Sequence, residues 1–209
     1  MASRFVSFES EIRDLIERIV EDSLWHGRWL NTLSYLENCG ARKIAACEHP
    51  TQVREEMLKH AAEEFRHAFY LKKQLARIGQ SHEDYRCSNL LGGWSAYHYL
   101  DALDLHIVRF LKNRGMANFQ IKPFVYALVT YAIELRAGEL YSIYQMILKN
   151  HHSKVQVQSI IFEEKEHLNE MEEELKELAV HAEIIEKACA IESHLFKQWL
   201  NACQLQLSR

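Results

Sequence analysis

Glycine and proline are scarce in this sequence, which has seven glycines and two prolines among its 209 residues. This is about a third of the average usage of the two residue types. β-Sandwiches, barrels and propellers need these residues at their many tight turns. The scarcity therefore excludes a turn-dense β-fold and predicts an all-α protein, and the length suits one domain over residues 1–209.

Other features that the sequence lacks exclude further classes of protein. No uncharged apolar run approaches the roughly 20 residues that span a bilayer, and the first residues contain no apolar segment of a secretory signal. The five cysteines include no C-x-x-C pair, so neither a disulfide framework nor a zinc ribbon is indicated. A net charge of −4 disfavours binding to phosphate backbones. We therefore expect a cytoplasmic protein that does not contact the membrane.

Apolar residues recur at helical spacing through most of the chain. Pro50, Gly79 and Gly115 lie where this pattern is interrupted, and Pro123 suits the first turn of a helix. The pattern predicts a leading helix at 8–21, four long helices at about 24–48, 51–78, 123–149 and 153–178, a crossover helix at 94–112, and a final helix at about 181–204.

Two of the four long helices carry the same motif, Glu-Glu-x-x-His. Its second glutamate and its histidine are Glu64 and His67 in one helix, and Glu164 and His167 in the other. Residues three apart on a helix lie on nearly the same face. Each motif can therefore hold one metal ion between a carboxylate and an imidazole.

Each motif has a partner glutamate in the adjoining helix. Glu37 precedes Glu64 by 27 residues, and Glu134 precedes Glu164 by 30 residues, which brings each pair to similar heights if the helices are antiparallel. One glutamate from each of two helices and Glu-x-x-His from the other two is the pattern of di-iron carboxylate bundles. Two divalent ions would balance the four carboxylate charges, and carboxylate with imidazole suits Fe(II) or Mn(II). The sequence predicts two iron ions, with manganese as the alternative.

The arrangement of the motifs is more informative than their number. With 24 glutamates and 12 histidines in the chain, about one or two Glu-x-x-His spacings are expected by chance. Both motifs, however, lie in the middle of a predicted helix, 100 residues apart, and both have a partner glutamate.

Over residues 24–178 the sequence resembles the ferritin-like superfamily, with the six candidate ligands in the chain order of that superfamily. The segment 133–139, Ile-Glu-Leu-Arg-Ala-Gly-Glu, and Glu-Glu-Phe-Arg-His at 63–67 are similar to motifs of tRNA isopentenyladenosine hydroxylases. The resemblance implies a ferritin-like four-helix bundle and a di-iron oxygenase or hydroxylase with O2 as co-substrate. It also implies an organic substrate, either a small molecule or a modified nucleoside. The sequence shows no flavin, nicotinamide or Fe–S motif, so we expect an external electron donor. A homodimer is left open.

The predicted helix at 123–149 carries two candidate glutamates. Glu134 and Glu139 are five residues apart, hence about 140° apart around the helix axis, and both reach one site only if the helix is distorted. We expect Glu134 to be the ligand, because small residues follow it as they follow Glu37. These small residues are Ala137 and Gly138 after Glu134, and Gly40 and Ala41 after Glu37. Glu139 is the candidate catalytic residue, as a bridging ligand or as a base beside the metals.

Three further residues have two interpretations each. His60, one turn before Glu64, is expected to be a solvated residue, with a hydrogen bond to a metal ligand as the alternative. Tyr131 and Tyr141 are expected to be core aromatics, with a position beside the metals as the alternative.

Two other functions stay open at this level. One is a ferroxidase or peroxide-detoxifying protein, and the other is a metal-free helical adaptor in which the motifs are accidental. An apolar pocket that reaches the metals favours the oxygenase over the ferroxidase. A group of basic residues near the end of the crossover has two interpretations, a contact for an anionic substrate or a chance grouping of cations around a loop. Its members are Arg109, Lys112, Arg114 and Lys122.

Overall fold

The computed structural model describes residues 5–81 and 84–208, and within these ranges it contains helices and no strands. The α-helices are α1 (Glu9–Glu21), α2 (Ser23–Cys47), α3 (Glu55–Leu75), α4 (Trp94–Tyr97), α5 (Tyr99–Asn113), α6 (Asn118–Asn150), α7 (Gln158–Glu177) and α8 (Ala182–Leu207). Two single-turn 3₁₀ helices lie at Ala76–Ile78 and Cys87–Asn89. The prediction of an all-α protein is confirmed.

Local sequence signals account for the ends of several helices. The Asp22 carboxylate accepts hydrogen bonds from the backbone N–H groups of Leu24 and Trp25 and so caps α2, as expected for an aspartate at an N-cap. Gly79 has a φ of 71°, the left-handed conformation that glycine adopts without steric cost after a helix.

Several predicted helices differ from the observed ones. The helices expected at about 51–78 and 153–178 begin later, at Glu55 and Gln158. The helix expected to begin at Pro123 begins five residues earlier, at Asn118, and Pro123 lies inside α6. Proline removes the hydrogen bond to the carbonyl four residues before it. That residue is Phe119, which is 81% exposed, so water can satisfy the carbonyl. The predicted crossover helix is divided into α4 and α5 at His98, whose backbone is not helical.

The four long helices pack as two pairs, α2 along α3 and α6 along α7, and the pairs meet through contacts of α2 with α6 and of α3 with α7. α1 packs on α6, and α5 packs on both α6 and α8. The result is a helical bundle with additional helices at its sides. Among the described helices, none has the length and apolar character required to cross a membrane.

Two apolar clusters fill the bundle, and each of the four long helices contributes to both. One cluster includes Trp29, Leu71, Tyr144 and Ile160. The other includes Ile44, Met57, Tyr126 and Met171. Along every one of these helices the predicted metal ligands lie between the members of the two clusters. The predicted ligands thus lie at one level of the bundle, between the two apolar clusters.

Candidate metal centre

All six predicted ligands converge inside the bundle, together with one histidine that was not predicted to join them. Within each of two groups, one ligand atom per residue lies within 4.8 Å of every other. The first group is Glu37, Glu64, His67 and Glu164, and the second is His60, Glu64, Glu134 and His167. Glu64 belongs to both groups, so the two form one continuous cluster.

His67 faces three carboxylates through its Nδ1 atom. Nδ1 lies 3.2 Å from Glu164 Oε1, 3.7 Å from Glu64 Oε1 and 3.9 Å from Glu37 Oε2. The Glu37 side chain also accepts a hydrogen bond from the Tyr141 hydroxyl. Tyr141 therefore contacts a candidate ligand. Tyr131, in contrast, lies in the apolar cluster with Ile44.

His167 occupies the equivalent position in the second group. Its Nδ1 atom lies 3.4 Å from Glu64 Oε1 and 3.9 Å from Glu134 Oε1. The ring of His60 lies against that of His167, with the centroids 4.0 Å apart, and His60 Nε2 lies 3.1 Å from Glu134 Oε1. His60 is only 1% exposed, so the expectation of a solvated residue is wrong. His60 and Glu64 are four residues apart and therefore lie on one face of α3. This spacing was the sequence signal that His60 lies beside the candidate ligands.

Several atoms of this cluster are buried and form no hydrogen bond of suitable angle with any described residue, although some of them lie close to one another. They are Nδ1 of His60, His67 and His167, Oε1 of Glu64 and Glu164, and Oε2 of Glu134. Buried polar atoms are nearly always hydrogen-bonded in native proteins, because an unsatisfied one destabilises the fold by about 1–3 kcal/mol. Five of these six atoms belong to side chains that turn them toward the cluster, where a cation would satisfy them, whereas His60 faces the cluster with Nε2. The residues present therefore fit a metal centre.

The first glutamate of each motif holds the histidine of the other motif. His67 Nε2 lies 2.7 Å from Glu163 Oε2, and His167 Nε2 lies 2.8 Å from Glu63 Oε2. An imidazole that donates its Nε2 proton to a carboxylate turns the Nδ1 lone pair toward the cluster, which is how such carboxylates orient metal-binding histidines. The spacing of the predicted ligands assigns no role to Glu63 and Glu163, although the doubled glutamate in both motifs is a signal for one.

Burial and mutual repulsion govern the protonation of the carboxylates. Burial, reinforced by neighbouring carboxylates, raises the pKa of Glu64 and of Glu164 well above the usual range. Burial, together with the charge of Glu37, raises the pKa of Glu134 to about 7 despite its contact with Glu164. Without a cation, this cluster holds protons that ordinary glutamates would have lost at neutral pH.

Glu37 and His67 form the charged pair of the cluster. Burial opposes the charge of both side chains, but their mutual attraction outweighs it and lowers the pKa of Glu37. The carboxylates of Glu164 and Glu37 likewise overcome the burial of His67 and raise its pKa to about 11. A bound divalent cation would displace the imidazole proton and would itself provide the positive charge beside the carboxylates.

Glu139 does not lie with the six predicted ligands. Its Oε1 accepts hydrogen bonds from the Ser7 hydroxyl, at 2.5 Å, and from the Phe8 backbone N–H, at 3.0 Å. Its Oε2 pairs with Arg136. The prediction that Glu139 bridges the metals or acts as a base beside them is therefore wrong, because its carboxylate binds Ser7, Phe8 and Arg136 instead. α6 is a regular α-helix here, without the distortion that would turn both Glu134 and Glu139 inward.

A cavity of about 620 Å³ reaches the cluster. The carboxylates of Glu37, Glu64, Glu134 and Glu164 line part of it, and most of the remaining lining is aliphatic or aromatic. Gly40 belongs to the lining, and a Cβ at this position would lie 3.3 Å from Glu64 Oε2. The absence of a side chain at Gly40 thus keeps the space beside a candidate ligand open.

Comparison with known proteins gives no match to a family model, to a curated protein or to a solved structure. The functional assignment therefore rests on the side chains of the site.

Proposed function

We propose that this protein is a ferritin-like helical bundle that holds a binuclear non-haem iron centre and uses O2 to hydroxylate an organic substrate. The observation that carries the proposal is the cluster of seven buried or mostly buried glutamate and histidine side chains, six of whose polar atoms form no hydrogen bond of suitable angle with any described residue. Such a cluster destabilises the fold unless a ligand compensates for it.

The donor set supports iron, with manganese as the alternative metal. Carboxylate oxygens with imidazole nitrogens suit Fe(II) and Mn(II), and no described cysteine belongs to the cluster. Two divalent ions would balance the four carboxylate charges. Glu37, Glu64, His67 and Glu164 would hold one ion, and Glu64, Glu134, His167 and His60 would hold the other.

The order of the elements supports the ferritin-like assignment. The ligands come from α2, α3, α6 and α7 in the order Glu, Glu-x-x-His, Glu, Glu-x-x-His. This is the set that ferritin-like di-metal proteins place in the centre of a four-helix bundle. α4 and α5 lie in the connection between α3 and α6, where such bundles have their crossover.

The cavity favours an oxygenase over a ferroxidase, because iron ions and peroxide need no large apolar space beside the metals. When bound, the iron pair supplies the reduction of O2: hydroxylation of a C–H bond consumes O2, two electrons from an external donor and two protons, and releases water. The residues of this chain exclude water around the substrate and orient the two imidazoles through Glu63 and Glu163. A modified nucleoside as substrate, a homodimer and a cytoplasmic location stay predictions from the sequence.

The test is anaerobic addition of Fe(II) to metal-free protein, followed by O2, with iron binding and absorbance recorded. We expect about two iron ions to bind per chain and to be oxidised rapidly when O2 is added. After this first oxidation, further consumption of O2 should require an added reductant. Continued oxidation of excess iron into a mineral would instead identify a ferroxidase. Absence of stoichiometric binding of iron or manganese would identify a metal-free adaptor.

A further inference from the structure

The cavity beside the carboxylates follows one face of α6. Its lining includes residues of this helix at successive turns, among them Lys122, Val125, Val129, Ile133 and Glu134. Lys122 and Glu134 are 12 residues apart, which corresponds to about 18 Å along a helix axis. The cavity is thus elongated, with a basic residue toward one end and the candidate metal centre farther along.

The basic end carries charge that the protein does not neutralise. Lys112 and Lys122 line the cavity and are exposed, and neither forms an ion pair with any described residue. Lys43 also lines the cavity, but it is 2.8 Å from Asp101 and pairs with Asp104. Two cationic side chains therefore remain available to an anion at this end.

The segment between the two ends is apolar. On α6 it presents Val125, Val129 and Ile133, and Ile44 and Leu36 of α2 complete the wall. A cavity of about 620 Å³ falls within the usual range of roughly 300–1,000 Å³ for small-molecule sites. An apolar chain would fill this segment, whereas a polar molecule would lose hydrogen bonds to water there.

We propose that the cavity binds an amphipathic anion, an extended hydrocarbon chain with one carboxylate or phosphate headgroup. The headgroup lies at Lys112 and Lys122, and the chain runs toward Glu134. The opposite orientation would bring the anionic headgroup to the four carboxylates of the cluster. Two divalent ions would balance the charge of these carboxylates but would leave no net positive charge for the headgroup. That this molecule is the substrate rests on the proposed function, whereas its binding does not.

The test is isothermal titration calorimetry of the full chain with three ligands of equal chain length, each below its micelle concentration. They are dodecanoate, dodecyl phosphate and dodecyltrimethylammonium. We expect saturable binding of one or both anions per chain, at least tenfold tighter than that of the cation, because the headgroup contacts are cationic. The two anions distinguish a carboxylate from a phosphate headgroup.

Variants locate the binding. In the double variant Lys112→Glu with Lys122→Glu, we expect the affinity for the preferred anion to fall about tenfold or more, since two favourable contacts become repulsive. Lys187→Glu, on the exposed face of α8, is the matched control and should bind within about twofold of the original protein. Val129→Trp, with folding checked by circular dichroism, should abolish binding by filling the apolar segment.

Equal affinity for the cationic and anionic ligands, or unchanged anion binding in the double lysine variant, would overturn the proposal. Metal analysis of the same preparation separates the two proposals. Stoichiometric metal without binding of either anion contradicts this inference alone, whereas binding of an anion by a protein that takes up no metal contradicts the proposed function alone.

Discussion

His67 Nε2 lies 2.7 Å from Glu163 Oε2, and Glu163 belongs to the motif of the opposite helix. The same relationship links His167 to Glu63 at 2.8 Å. Each Glu-Glu-x-x-His motif therefore contributes to the cluster in two ways. Its second glutamate and its histidine face the cluster, and its first glutamate fixes the imidazole contributed by the other helix.

This relationship predicts the effect of removing one orienting carboxylate. In Glu163→Gln, we expect metal affinity to fall about 10- to 100-fold, because a neutral amide holds the imidazole less firmly and lowers its basicity. Titration against a competing chelator measures the change. The matched control is Glu172→Gln, an exposed residue of the same helix. Equal affinity in the two variants would show that the carboxylate of Glu163 does not orient a metal-binding histidine.

A second prediction separates the two glutamates of α6. Glu134→Ala should lose at least one metal ion per chain. Glu139→Ala should keep its metal but lower the free energy of unfolding by about 1–2 kcal/mol, because the Phe8 N–H and Arg136 lose a partner. Elemental analysis and urea unfolding measure the two effects. Metal loss in the Glu139 variant with full metal in the Glu134 variant would reverse the assignment.

Helical periodicity explains why the six converging residues were predictable. Spacings of three residues within a motif, and of 27 or 30 residues across a tight connection, fix the helix face and the height of each side chain. The role of Glu163 was not predictable in this way, because it depends on how α7 is rotated against α3. The hydrogen bonds of Glu139 come from Ser7 and Phe8, which precede α1 and are more than 100 residues distant in sequence. His60 was misjudged because its local sequence is polar, whereas its burial comes from α6 and α7.

Two glycines provide a matched test of the cavity. Gly138→Ala should raise the free energy of unfolding by about 0.5–1 kcal/mol, since alanine is the better helix former and a Cβ there meets no atom within 4 Å. Gly40→Ala gains the same helix propensity but brings a Cβ to 3.3 Å from Glu64 Oε2. We expect a smaller gain or a loss, with weaker metal retention. Identical stability and metal content in both variants would indicate that Gly40 does not keep space for the ligand.

Removal of the metal should make stability depend on pH. The folded pKa of Glu134, about 7, lies above its unfolded value, so the folded state holds a proton that the unfolded state has lost. This contribution to stability disappears as the pH rises through 7. Between pH 6.5 and pH 8 Glu134 accounts for a loss of about 0.8 kcal/mol, and His67, whose folded pKa is about 11, adds about 1.7 kcal/mol because the unfolded histidine deprotonates in this window. After the opposing contribution of three buried histidines, we expect chelated protein to lose about 1–2 kcal/mol of stability, which lowers Tm by roughly 2–8 °C.

Three buried histidines oppose this loss in part. Burial lowers the pKa of His26, His60 and His167, so each of them destabilises the folded state as the pH falls through the ordinary histidine value of 6.5 and offsets about 0.4 kcal/mol of the loss between pH 6.5 and pH 8. Metal-loaded protein should show a higher Tm throughout and little change over the window, since metal binds the deprotonated carboxylates. A chelated protein whose Tm stays constant or rises from pH 6.5 to pH 8 would contradict the protonated cluster.

The most direct measurement is elemental analysis of the full chain, expressed in medium that supplies iron and manganese and purified without chelator, alongside Glu64→Ala prepared identically. Glu64 is the residue that the two groups share, so its loss affects both ions. The original protein should carry about two metal ions per chain, and the variant at most one. A metal content near zero in the original protein, or the same content in both, would contradict a binuclear centre at this cluster.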